Sequence, residues 1–189
     1  MRYSITIFIF LLIFSGATSA SPVVNIKTSY YSVSGSTANE LRKSLNANSP
    51  VRQSGKRYDA YTAWMVHWHF NWNKRQGQCY ITHASSTVDV RFTMPRWTNR
   101  NQANGKLKSK WDKYYTALTA HENGHKRFGI NAAREIERRI QKMPPSATCT
   151  LLEQKANALG KKVLEKYIYR EKAYDKTTRH GMANGASFP

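Results

Sequence analysis

Two histidines four residues apart, with a glutamate directly after the first, stand at His121-Glu122-Asn123-Gly124-His125. On a helix such residues share one face, so both imidazoles can reach a single ion while Glu122 projects beside them. The chemistry that needs this trio is metal-assisted hydrolysis. Zn²⁺ acts as the Lewis acid and lowers the pKa of a bound water, and Glu122 takes its proton and passes it to a leaving amine. Gly124 inside the helix costs about 1 kcal/mol against Ala, which predicts a close approach by another segment.

A catalytic zinc takes three protein ligands and leaves a fourth position open, so a third donor is required. Glu135 is excluded: ten residues after His125 in a continuous helix, it lies about 15 Å further along the axis. The remaining candidates are His67 and His69 on a strand, His83 at a strand end, Asp175, and His180. His180 is preferred, because Gly181 follows it in an irregular tail that can fold back over the helix.

The elements that position these residues follow from periodicity. Val23 to Ser34 reads as a strand, and Thr37-Ala-Asn-Glu40 has the form of a capping box opening a short helix through Leu41 and Leu45. From Tyr58 to Trp72, Trp64, Val66, Trp68, Phe70 and Trp72 alternate with the other positions, giving a long strand with an aromatic face. Cys79 to His83 and Thr87 to Met94 read as two further strands separated by a turn at Ala84-Ser-Ser86, completing an antiparallel meander. Leu107, Trp111, Leu118, His125, Ala132, Ile136 and Ile140 recur at helical spacing up to about Lys142, before Pro144-Pro145. A second helix carries Leu151 to Tyr167, and a tail begins at Tyr174. The fold class is therefore α+β: a small antiparallel sheet packed against a long helix carrying the motif and a second, C-terminal helix.

Composition narrows the setting. The 189 residues contain 30 Lys and Arg against 11 Asp and Glu, a formal charge of +19, with 40% hydrophobic residues and two Cys. A real core can be buried, which excludes a disordered basic tail and a disulfide-stapled mini-protein. The apolar run Ile5 to Phe14 is too short to cross a bilayer and is followed by Thr18-Ser19-Ala20, so residues 1–20 are expected to be a secretory signal peptide and 21–189 a single domain with no transmembrane segment. A secreted or periplasmic chain meets an oxidising compartment, so Cys79 and Cys149 are expected to pair. The charge by itself does not make a nucleic-acid protein: no reading module is present, and Trp64, Trp68 and Trp72 are expected in the core rather than stacked on bases.

Taken in order, Tyr30-Tyr-Ser-Val-Ser-Gly35, Tyr61-Thr-Ala-Trp64 with Trp68, Cys79, Met94-Pro-Arg-Trp97, the His121–His125 motif, Cys149 and Tyr174-Asp-Lys-Thr-Thr-Arg-His-Gly181 resemble a bacterial family of predicted secreted zinc-dependent proteases, domain-of-unknown-function family 922. The likeness runs through nearly all of the chain after residue 20. The family pairs HExxH with a C-terminal YDxxTxHG, which falls here on Tyr174, Asp175, Thr178, His180 and Gly181. The resemblance thus implies His180 as third zinc ligand, Asp175 as a carboxylate orienting an imidazole, and Tyr174 or Arg179 as donors to a developing oxyanion. The expectation is a zincin-like secreted or periplasmic metallopeptidase: Zn²⁺ on His121, His125 and His180, Glu122 as general base, and a peptide or protein substrate, including cell-envelope peptide. The rival is a zinc-containing binding protein without turnover, whose basic surface holds an anionic envelope component.

Overall fold

The computed structural model describes residues 21–53 and 55–189. The expected signal peptide lies outside them. The elements in order are β1 (Val23–Val33), α1 (Ala38–Asn48), a two-strand hairpin β2 (Arg52–Gln53) and β3 (Lys56–Arg57), β4 (Tyr61–Arg75), β5 (Gln78–Trp97), α2 (Gly105–Gln141) and α3 (Cys149–Thr178). The architecture is α+β, a small three-stranded sheet with two long helices against one face. No helix among the described residues is long and apolar enough to cross a membrane.

The sheet differs from the expected antiparallel meander in two respects. Its order is β1-β5-β4, and β1 runs parallel to β5 while β4 runs antiparallel to it, so the sheet is mixed. The expected turn at Ala84-Ser-Ser86 is absent, and the two predicted strands are one 20-residue strand. These small and polar residues accommodate α2 instead of reversing the chain. Ser86 Oγ donates to Glu137 Oε2 at 2.8 Å, and the Ala84 amide donates to Gln141 Oε1 at 2.8 Å. A register shift between Asn71 and Trp72 absorbs one extra residue of β5.

Period two decides which side of β4 meets the helices. Thr62 and Val66 are buried toward α2, whereas Met65, His67 and His69 stand on the open face. Trp64 and Trp68 pack under the helices and satisfy their indole N–H groups on Glu171 (2.9 Å) and Asn157 (3.0 Å). Trp72, also expected in the core, remains 41% exposed.

The helices begin on side-chain caps: Thr37 accepts from the Glu40 amide, Asn104 from Leu107 and Thr148 from Leu151. Glu40 reaches back to the Ser36 amide at 2.7 Å. The largest departure from expectation is the length of α3, which continues through Tyr174 and Asp175 to Thr178. Nothing from Tyr174 to Thr178 breaks a helix, and the chain reverses only where Arg179, His180 and Gly181 take positive φ of 50°, 52° and 80°. That reversal is held by the His180 amide donating to Asp175 O at 2.8 Å and the Gly181 amide to Thr178 Oγ1 at 3.2 Å.

Two apolar clusters share α2. One gathers its first half with α1, Trp97 and Phe188; the other packs Ala132, Ala133, Ile136 and Ile140 against Val66, Val88, Val90 and α3. Residues 121–125 fall between Leu118 of the first cluster and Ala132 of the second. Cys79 and Cys149 form a disulfide joining the start of β5 to the start of α3, as expected.

Candidate metal centre

On α2, His121 and His125 are one turn apart and buried, with 5% and 7% of their surface exposed. Their Nε2 atoms lie 3.1 Å from each other. Asp175, on the face of α3 turned toward α2, places Oδ1 3.2 Å from His121 Nε2 and 3.0 Å from His125 Nε2. These three side chains form a group able to hold a metal ion.

Close packing of two helices makes this convergence possible, and Gly124 permits it. A Cβ at Gly124 would stand 2.7 Å from Tyr174 Cζ and 2.8 Å from Cε1. The segment whose approach the glycine predicts is therefore α3 itself. The Tyr174 ring stacks on His121, centroids 5.0 Å apart and planes 14° apart, and meets His125 edge-on at 5.4 Å. Gly181 has the same office on the other side, where a Cβ would meet His121 Cγ at 2.8 Å.

Carboxylates set the field. Glu171, one helical turn before Asp175, places Oε1 2.8 Å from His125 Nδ1, and that oxygen also accepts from Trp64. Glu171 favours a proton on Nδ1, so that the neutral ring would present its Nε2 lone pair to His121 and Asp175. Burial disfavours the His125 cation, yet the carboxylates of Asp175 and Glu171 outweigh it and lift the group to about 9. Burial likewise works against ionising Asp175, but the histidines hold its carboxyl well below the usual carboxylate range. Both shifts express the same pairing, of the His125 cation with the carboxylates that face it.

The donor set fits a divalent cation. Asp175 Oδ1 is buried and, despite its short distances to both rings, has no well-directed hydrogen bond; the two facing Nε2 atoms can share at most one proton. A buried oxygen without a donor is costly, and a divalent cation that displaced the ring protons would satisfy Asp175 Oδ1 and both Nε2 atoms at once.

Glu122 lines the same cleft, 4% exposed. Thr62 Oγ1 donates to its Oε2 at 2.5 Å and lies 3.2 Å from its backbone carbonyl. Burial pushes the Glu122 carboxyl up, with the Thr62 bond and then the histidines opposing. The cleft has a volume of about 680 Å³ and runs between α2, α3 and the β2–β3 hairpin.

The residues singled out from the sequence take distinct places. His121, Glu122 and His125 come together in the cleft, and Asp175 stands close enough to both histidines to serve as a donor beside them. His180, preferred as the third ligand, is outside the converging group: its Nδ1 is 3.5 Å from Asp175 Oδ2, and its Nε2 is 3.3 Å from Tyr58 Oη. The unexpected last turn of α3 sets Asp175 against both histidines, while His180 lines the same cleft beside it. Tyr174 spends its hydroxyl on the His121 carbonyl at 3.4 Å, and Arg179 is the exposed cap of α3; neither lines the cleft. His67 pairs with Asp89 on the open sheet face at 3.3 Å, away from the site. Glu171, Thr62 and Tyr58 were not singled out. Glu171 had a visible signal, lying four residues before Asp175 on a helix, whereas Thr62 and Tyr58 reach the site only through tertiary packing.

A family model described as "Bacterial protein of unknown function (DUF922)" matches residues 28–181. No curated protein and no solved structure matches the chain.

Proposed function

Since the chain belongs to this bacterial family of unknown function, DUF922, its activity has to be read from the site, and we propose a zincin-like zinc-dependent hydrolase of peptide bonds. The observation that carries the reading is the trio of buried donor atoms 3.0 to 3.2 Å apart with Glu122 in the same cleft. His121, His125 and Asp175 would hold the ion. Zinc bound there supplies Lewis acidity, polarising a substrate carbonyl and acidifying water.

The other steps belong to side chains of this chain. Thr62 occupies Oε2 of Glu122 and leaves Oε1 to receive a proton from the attacking water. A carboxyl raised by burial is a better base than one in free solution, and it returns the proton to the departing amine nitrogen. Glu171 keeps the His125 ring aligned, and His180, lining the same cleft, faces Asp175 Oδ2 at 3.5 Å. Tyr58, in contact with His180, lines the same cleft and is available to donate to a substrate bound there. We place this domain, residues 21–189, outside the cytoplasm after removal of residues 1–20.

Two measurements test the reading. Purified protein should hold one zinc per chain by elemental analysis, and a quenched-fluorescence peptide library should be cleaved in a chelator-sensitive manner. Glu122→Gln should keep the zinc and lose roughly 10²–10⁴-fold in kcat. Stoichiometric zinc with no cleavage of any peptide would support the rival, a zinc-containing binding protein; absence of zinc would remove both.

A further inference from the structure

The cleft is chemically unequal along its length, and the contacts fix the order. Along α3, Ile168, Glu171 and Asp175 face it at helical spacing, and Ile168 stands about 10 Å along the axis from Asp175. Glu171 meets His125, Asp175 meets both histidines, His180 meets Tyr58, and Tyr58 directly follows the β2–β3 hairpin. The metal site is thus central, with Ile168 beyond one side and the hairpin beyond the other.

The Ile168 end offers apolar surface beside one basic residue, Lys172. Ile168 is 41% and Tyr61 43% exposed, and Tyr61 lies in β4 three residues before Trp64, which bonds Glu171. The hairpin end is basic. Lys56 is exposed and has no carboxylate within ion-pair distance among the described residues. Arg57 donates only to the Asn46 and Ala47 carbonyls at the end of α1, so its charge is not neutralised. Arg42, by contrast, is consumed by Asp59.

We infer that the cleft takes an extended acidic peptide, with an apolar side chain against Ile168 and Tyr61 at one end and a carboxylate against Lys56 and Arg57 at the other. The inference rests on the proposed hydrolase for its consequence but on charge complementarity for its content. An acidic ligand also suits the surface around the site, since the chain carries a formal charge of +19. That net charge would attract any anion, so the local claim needs a local test.

The probes are fluorescein-labelled octapeptides with leucine in the first half and two glutamates in the second, and the same peptide with lysines for the glutamates. Anisotropy titrations use zinc-loaded Glu122→Gln protein at about 0.15 M salt, where distant charges are screened. The glutamate peptide should bind at least tenfold tighter than the lysine peptide. Lys56→Glu should shrink that ratio at least fivefold, Ile168→Asp should weaken both peptides, and Lys106→Glu, at the remote start of α2, should leave the ratio unchanged. A ratio that survives Lys56→Glu, or that falls equally with Lys106→Glu, would overturn the inference. Selective binding without cleavage by wild-type protein upholds the docking site and removes the hydrolase; cleavage indifferent to peptide charge does the reverse.

Discussion

The contact between Gly124 and Tyr174 makes a quantitative demand on the metal centre. In Gly124→Ala the new methyl would arrive 2.7 to 2.8 Å from ring carbons of Tyr174, whereas carbon atoms in contact prefer about 3.5–4.0 Å. The ring must retreat by roughly 0.7–1.3 Å. It has little freedom to swing, being stacked on His121, edge-on to His125 and packed on Phe128 at 5.6 Å. The strain therefore passes to the α3 backbone and to Asp175, the next residue. Overpacking of this kind costs about 1–3 kcal/mol, while Ala in place of Gly in a helix returns about 1 kcal/mol, so the fold loses on the order of 0–2 kcal/mol. The metal should feel more, because donor atoms 3.0 to 3.2 Å apart are pulled open. Competition with a chromogenic chelator should show zinc affinity at least tenfold weaker, and Gly124→Ala combined with Tyr174→Ala should recover part of the loss through the coupling of a double-mutant cycle. Zinc affinity within twofold of wild type in the single variant would refute the claim that this contact seats Asp175.

Three further outcomes are expected. Glu171→Gln should weaken zinc binding about 10–100-fold, the usual effect of losing a carboxylate behind a ligand imidazole, with the thermal transition of the zinc-free protein little changed. Cys79→Ala with Cys149→Ala opens a loop closed across a sequence separation of 70 and should lower stability in urea by up to about 4 kcal/mol. Glu135 is desolvated by burial, but Lys166, Tyr167 and Arg139 outweigh this and hold its carboxyl below the usual range. A lowered folded pKa gives stability that is present above the unfolded value and is lost as pH falls through the folded one. Glu135→Gln should therefore lower the melting temperature at pH 7 and converge with wild type in acid; an equal difference at both pH values would count against the ion pair.

Much of this arrangement was legible in the residues because it depends on local rules. The motif helix, its start near Gly105 and its end before the prolines, the capping box at Thr37, and the alternation of β4 all follow from period and caps that act over a few residues. Gly124 signalled a close neighbour because a glycine inside a long helix needs a reason. What escaped was non-local. Ala84-Ser85-Ser86 has the composition of a turn, yet small residues are also what a strand needs beneath a closely packed helix, and sequence does not distinguish these uses. The parallel pairing of β1 with β5 joins residues some 64 positions apart, such as Val23 and Thr87, with no local trace. The approach of Asp175 to both histidines was hidden because the tail was taken to start at Tyr174; five more helical residues set Asp175 against them, with His180 beside it in the same cleft.

The helix α3 is 30 residues long, about 45 Å, and it is fastened at both ends by chemically unrelated means. Cys149 ties its first residue covalently to β5, while its last turns meet α2 through non-covalent contacts of Glu171, Tyr174 and Asp175 with His125 and His121, which a bound cation would reinforce. Reductants act on the first fastening, and chelators would act on the second if the site is loaded. A protein stripped of metal but still oxidised should keep the cysteine end of this helix protected from hydrogen exchange while amides around Glu171 to Thr178 exchange faster, so that metal supply decides whether the lever is clamped at one end or two.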